Sequence, residues 1–283
     1  MALILGSIIV MASVLGGYVL SKGQLMALWQ PYEVLIIFGA AIGAFIISHP
    51  MHLIKETAGR IMRLLTGSPF NKALYLDLLS LLYDLFDKSR KQGVMAIEED
   101  VDNPEGSQIF TRYPAILKQE ELVAFIVDYM RIISSGNMAP HELEGLMDNE
   151  LEKRQNELHE PGHAVGGVAD ALPGLGIVAA VLGIVITMGL LGGPPEQIGV
   201  KVAAALVGTF LGIFMGYGFV GPTSKALEHQ AHEEFASYDC AKNAILATVS
   251  GQAPQMAIEF GRKALPTDMR PGFQELNDHV RSK

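Results

Sequence analysis

The sequence predicts an all-α integral membrane protein with four transmembrane helices and a helical cytoplasmic domain. Two late runs, Ala171 to Leu191 and Val202 to Val220, contain no Asp, Glu, Lys, Arg or His and are long enough to cross a bilayer. Two more apolar runs open the chain, Met1 to Ser21 and Val34 to Ile54. Between and beyond them, apolar residues recur every three to four positions, and the alternation typical of strands is missing. With 49% hydrophobic and only 18% charged residues among 283, and a mean hydropathy of +0.29, the chain is too apolar for an ordinary soluble domain.

The first run has no charged side chain. It lacks the basic start of a signal peptide, and Gly16, Gly17 and Tyr18 offer no convincing cleavage site, so it reads as a retained span. The second is flanked by Trp29 and Tyr32 as interfacial anchors and broken near its end by His49, Pro50 and His52. Nineteen of the 21 Lys and Arg residues lie in Lys55 to Arg154 and Lys225 to Lys283, and only Lys22 and Lys201 lie in the short connections. Because short translocated loops tolerate basic residues poorly, both termini and the middle segment are expected to be cytoplasmic. The lone Cys240 excludes an intramolecular disulfide, and the net charge of -9 argues against nucleic acid as partner. The expected organisation is spans one and two over 1–54, a cytoplasmic helical domain over 55–168, spans three and four over 169–222, and a helical cytoplasmic tail over 223–283.

In the middle segment, Leu74, Leu78, Leu81, Leu82 and Leu85 mark the apolar face of a helix, with Asp77 and Asp84 on its wet side. A second helix runs from about Gln119 to Ser135, faced by Leu122, Phe125, Ile126, Tyr129, Ile132 and Ile133 and stopped by Gly136. A third opens at Pro140 and carries Leu143, Leu146, Met147 and Leu151. Pro161-Gly162 and Gly166-Gly167 then predict a flexible approach to span three. After span four, Ala226, Leu227, Phe235, Ala241, Ile245 and Leu246 keep a helical spacing, until Pro254, Pro266 and Pro271 divide the end of the chain into short pieces.

Enzyme signatures are scarce, and no catalytic role or cofactor is expected. His141-Glu142 lacks the second histidine of a zincin, and neither a phosphate loop nor a GxSxG elbow occurs. His229, His232 and Glu233 share a helix face, but a solvated helix explains them without a metal. The late spans are more informative. Ala204, Gly208, Gly212 and Gly216 fall four apart in one, Ala179, Gly183 and Thr187 in the other, a spacing that lets helix backbones touch where lipid removes the hydrophobic incentive. The spans as bounded show no carboxylate or base at mid-depth, so either the chain is a passive anchor or a partner supplies the titrating group beside Thr209 and Tyr217.

Five stretches then resemble the MotA family of flagellar motor stator subunits: QPYEVLIIFGAAIGAF from Gln30, LLYDLFDKSRKQGVMAIEEDVDNPEGSQIF from Leu81, ADALPGLGIVAAVLG from Ala169, VGTFLGIFMGYGFVGP from Val207 and IEFGRK from Ile258. They run in order over nearly the whole chain. The resemblance implies several copies, understood as five, around a dimer of the single-span, peptidoglycan-anchored MotB, whose aspartate carries the proton. It implies that Pro173, at the start of span three, and Pro222, at the end of span four, flank the ion path, with Thr209 and Tyr217 facing it. Sodium-driven relatives carry a threonine where this chain has Ala180, and a methyl group cannot replace a hydration shell, so proton coupling is implied. Arg90, Glu98 and Glu150 match residues that face the rotor protein FliG, although Asn149 interrupts an otherwise acidic stretch. The alternatives are an energising subunit of the ExbB or TolQ kind, which has three spans, and a scaffold that merely anchors a helical domain.

Overall fold

The computed structural model describes residues 2–136 and 138–282. Among them the helices are, in chain order, α1 (Ala2–Leu20), α2 (Pro31–Ser48), α3 (Met51–Thr66), α4 (Lys72–Gln92), α5 (Glu98–Asp102), α6 (Pro114–Leu117), α7 (Glu120–Ser135), α8 (Pro140–Met188), α9 (Pro195–Met215), a π-helical turn (Gly216–Val220), α10 (Gly221–Val249), α11 (Pro254–Ala264) and α12 (Phe273–Ser282). No strand occurs among the described residues, so the all-α expectation holds. The chain forms two compact units, Met1–Gly67 with His159–His229, and Ser68–Leu158 with Gln230–Lys283.

The first unit is the membrane unit. Four helices are long and apolar enough to cross a bilayer, and they leave Leu35, Ile47, Val185 and Leu206 largely uncovered. Such a surface is stable only under lipid or other protein. The second span ends earlier than expected, since α2 stops at Ser48. His49 precedes a proline, whose ring disfavours α geometry one residue earlier, and it is extended at φ -131, ψ 143. The helix beyond, α3, is separate and amphipathic: Leu53, Thr57 and Arg60 are buried, and Arg60 pairs with Glu56 at 2.8 Å.

Two further expectations are corrected in α8. The approach to span three is not flexible, because one unbroken helix runs through Pro161, Gly162, Gly166 and Gly167. Packing overrides local propensity here. A Cβ on Gly162 would lie 3.0 Å from Glu228 Cγ and one on Gly166 3.1 Å from Ser224 Oγ, while the Ser224 hydroxyl donates to the Gly162 carbonyl at 2.8 Å. The glycines are contact points for α10, not a hinge. For the same reason Pro173 is an interior residue of α8 and not a helix start.

The second unit is built around α4. Asn71 Oδ1 accepts from the N–H groups of Ala73 and Leu74 at 3.0 and 3.1 Å, which caps the helix, and Gly93 ends it at φ +89. All five leucines of the predicted stripe are buried, together with Tyr75, Leu79 and Phe86, so α4 is covered on nearly every side. Burying each large apolar side chain contributes roughly 1.5–3 kcal/mol. Leu122, Phe125, Ile126 and Tyr129 of α7 pack in the same core, and α7 ends at Gly136 in the left-handed region at φ +76. Asp77 and Asp84 do not form a wet side. Both are half-buried, Asp84 accepting from the Tyr113 hydroxyl at 2.8 Å and Asp77 facing His279 at 3.2 Å. Leu146 is 42% exposed and lies outside the core that Leu143, Met147 and Leu151 join. In the IEFGRK stretch, Gly261 is obligatory: a Cβ there would lie 2.7 Å from the Cys240 carbonyl and 3.2 Å from Leu79.

Candidate functional site

In the membrane unit α8 and α9 touch backbone to backbone. A Cβ on Gly212 would collide with the Leu172 carbonyl oxygen and lie 2.9 Å from Gly176 Cα, and one on Gly176 would lie 2.9 Å from the Gly208 carbonyl. About two turns further along α8, Gly183 meets Ala205, whose Cβ is 2.9 Å from where a Cβ on Gly183 would stand. This is the seam that the four-residue spacing predicts, with one correction: Ala205, 2% exposed, makes the contact with Gly183, because the helix twist turns Ala204 partly away. Thr187 is buried and satisfied within its own helix, its hydroxyl donating to the Gly183 carbonyl at 2.8 Å.

The seam changes character at Pro173. Having no N–H, this proline leaves the Ala169 carbonyl without its usual donor in the helix. That carbonyl lies 2.9 Å from where a Cβ on Gly216 would stand, and Pro173 Cδ lies 3.3 Å from the same point. Gly216 opens the π turn, in which the Gly221 N–H donates to the Gly216 carbonyl. Single π turns within long helices are concentrated at functional sites, because the extra residue shifts the register of everything after it. Here it turns Tyr217 outward, 66% exposed, and Pro222 follows on an exposed position.

The sequence-predicted path residues therefore fall at two levels. Ala180 and Thr209, both half-buried, belong to the level of the Gly176, Ala179 and Gly208 contacts. Pro173, Tyr217 and Pro222 gather around the π turn. Sequence reasoning missed one residue. Glu33 is in the first turn of α2, only 8% exposed, and its Oε2 lies 3.1 Å from the point a Cβ on Gly208 would occupy. The span drawn from Val34 excluded it, whereas α2 starts at Pro31 and carries this buried carboxylate in its first turn. The available signal was Pro31, a favoured first residue of a helix, which places Glu33 inside α2.

In the second unit, Arg90 and Lys91 occupy the last turn of α4, and Glu98, Glu99 and Asp100 the first turn of α5, each complementing the helix dipole. Arg90 and Glu98 are exposed. Lys91 pairs with Asp87 at 2.7 Å. The acidic run splits, because Asp100 turns inward: it is 5% exposed, held by Lys88 Nζ and the Ser107 hydroxyl at 2.6 Å each. Glu150 stands on α8, exposed, and accepts from the Tyr129 hydroxyl at 2.7 Å. Among the described residues no group of three or more His, Cys, Asp or Glu side chains is placed to hold a metal ion.

The profile described as "Motility protein A N-terminal" matches residues 4–93, and that of the "MotA/TolQ/ExbB proton channel family" matches residues 118–240. Motility protein A of Salmonella typhimurium is 45% identical over 282 residues, covering 100% of this chain and 96% of the relative. The chain belongs to the motility protein A family. Within it, the Escherichia coli protein is 44% identical over the same 100% and 96%, and the chemotaxis protein LafT of Vibrio parahaemolyticus is 39% identical over 96% of this chain and 95% of its own. The fold is that of solved stators: the C. jejuni MotAB structure gives a TM-score of 0.76 at 19% identity, covering 94% of this chain and 96% of that chain. The flagellar MotAB stator complex of Bacillus subtilis gives 0.72 at 23%, with the same coverage. As a family member the chain is a multi-pass membrane protein and a proton-channel subunit of the flagellar stator. The match over residues 4–93 also separates it from the three-span energising subunits, and full-length kinship with motility proteins displaces the passive scaffold.

Proposed function

We propose that this motility protein A homologue assembles as five copies around a dimer of a single-span, peptidoglycan-anchored MotB in the inner membrane, with both of its termini cytoplasmic. The observation that carries the reading is the α8–α9 seam, a backbone-close helix pair whose residues from Ala171 to Leu191 and from Val202 to Val220 include no Asp, Glu, Lys, Arg or His. In this reading the partner's aspartate is the carrier, and Pro173, Ala180, Thr209, Tyr217 and Pro222 form the wall past which it works. Neutralising an intramembrane charge removes a cost of several kcal/mol and changes which neighbouring copy packs best against it. Stepwise rotation of the ring follows, driven by about 2.3 kcal/mol per charge per 100 mV. The methyl of Ala180 favours a proton over a sodium ion.

Arg90, Glu98 and Glu150 meet FliG in the same reading. Exposed charges of both signs suit rapid, repeated encounters, because they steer association without deep burial. Arg90→Glu and Glu98→Lys should each lower swimming torque while the complex still co-purifies with its single-span partner, and matching charge reversals in the rotor should restore it. Unchanged torque in both variants would remove these residues from the contact. Torque that follows external sodium at fixed proton-motive force would overturn proton coupling.

A further inference from the structure

We infer that Glu33 is a second cation-binding site of the ion path, a carboxyl group on α2 that takes a proton at the α8–α9 seam before the partner's carboxylate does. The inference deepens the stator reading and rests on it. Glu33 is 8% exposed and its Oε2 has no hydrogen-bond partner. A buried carboxyl oxygen is stable only when a donor, a proton or another cation satisfies it, and the cost is largest where lipid excludes water. The oxygen is aimed at the seam itself. The point 3.1 Å from it, where Gly208 would carry a Cβ, is also 3.3 Å from Ala179 Cβ and 3.5 Å from the backbone nitrogen of Ala180.

Two features make this a site and not a buried remnant. First, Gly208 is the residue that leaves room for the carboxyl: a Cβ there would press on Oε2 at 3.1 Å, tighter than ordinary van der Waals contact. Second, the position lies deep along the seam. Gly208 is thirteen residues after Pro195, and Ala180 eight before Met188, so the carboxyl is about 12–20 Å inward from the α8 and α9 ends at 1.5 Å per residue. It is nevertheless only two residues from the start of α2, where Tyr32 is exposed. Glu33 thus connects the outer end of one span with the level of Ala180 and Thr209. The groups that face it from α8 and α9 are the uncharged Ala179, Ala180 and Gly208. The nearest charged residues in those helices are Asp170, nine before Ala179, and Lys201, seven before Gly208.

The test uses the full stator complex with its single-span partner in motile cells, comparing Glu33→Gln and Glu33→Asp with the parent chain. Glu33→Gln keeps the shape and removes the proton site. It should co-purify with the partner, lose most swimming speed, and lose the dependence of that speed on external pH, while Glu33→Asp retains both in part. Parental speed and pH dependence in Glu33→Gln would overturn the proposal. So would failure of both variants to co-purify, which would mark Glu33 as a packing residue. If the parent chain itself neither co-purifies with the partner nor supports motility, the stator reading fails instead.

Discussion

Pro173 of α8 and Gly216 of the π turn meet across the seam, the proline freeing the Ala169 carbonyl that lies 2.9 Å from the glycine's missing Cβ. Neither residue makes sense alone. The proline removes a donor inside a long helix, and the glycine lets the neighbouring helix lie against the turn that results. Gly216→Ala should therefore push α9 away from Pro173. Loss of motility with the complex still assembled is the expected outcome, and full motility would deny the contact a role in the path.

Gly212→Ala tests the seam one turn away. Its Cβ would strike backbone and not a flexible side chain, so overpacking of about 1–3 kcal/mol is expected. A lower melting temperature of the detergent-solubilised chain is the readout. Gly145→Ala in α8 is the contrast, since nothing lies within 4 Å of its Cβ position and the helix gains up to about 1 kcal/mol. Equal effects of the two substitutions would count against the seam geometry.

Asp100→Asn should destabilise the second unit by about 1–3 kcal/mol, since it leaves the Lys88 ammonium without its charge partner in a largely enclosed place. Glu99→Gln, one residue earlier and exposed, should change stability little. Denaturant melts of both variants decide whether the inward turn of Asp100 is as described.

Glu150→Lys and Arg90→Glu should separate in stability although both face the rotor in the proposed reading. The first removes the acceptor of the buried Tyr129 hydroxyl and should cost about 1 kcal/mol. The second leaves an exposed position and should leave the melting temperature unchanged. A stability loss for Arg90→Glu equal to that for Glu150→Lys would contradict this difference.

Burial pushes the hydroxyls of Tyr75, Tyr113 and Tyr129 well above the ordinary tyrosine value, with Asp84 adding to the effect at Tyr113 and Glu150 at Tyr129. The folded state thus holds these protons more tightly than the unfolded state. That stability is fully present below about pH 10, the ordinary tyrosine value, and is lost as pH rises above it. Raising the pH of the solubilised chain should produce the tyrosinate absorbance of this trio together with the loss of helical circular dichroism. Complete tyrosine ionisation in a chain that keeps its helicity would refute the burial argument.

Much of this architecture is a local property of the chain. The apolar runs, the leucine stripe of α4, the faces of α7, the stop at Gly136 and the four-residue spacing of small residues follow from hydropathy and period, because each depends only on a helix's own repeat. Which helix lies opposite is not local, and most of the corrections above turn on it, the early stop of α2 before Pro50 being the local exception. α8 runs unbroken through Pro161 and its glycines because α10 packs there; Ala205 replaces Ala204 in the contact because α9 presents that face to Gly183. Asp100 leaves the acidic run for Lys88 and Ser107, and Glu33 becomes a seam residue because α2 lies against Gly208. The sequence determined which segments are helical and apolar; tertiary packing alone decided which carboxyl groups are enclosed, since enclosure is set by neighbours distant in the chain.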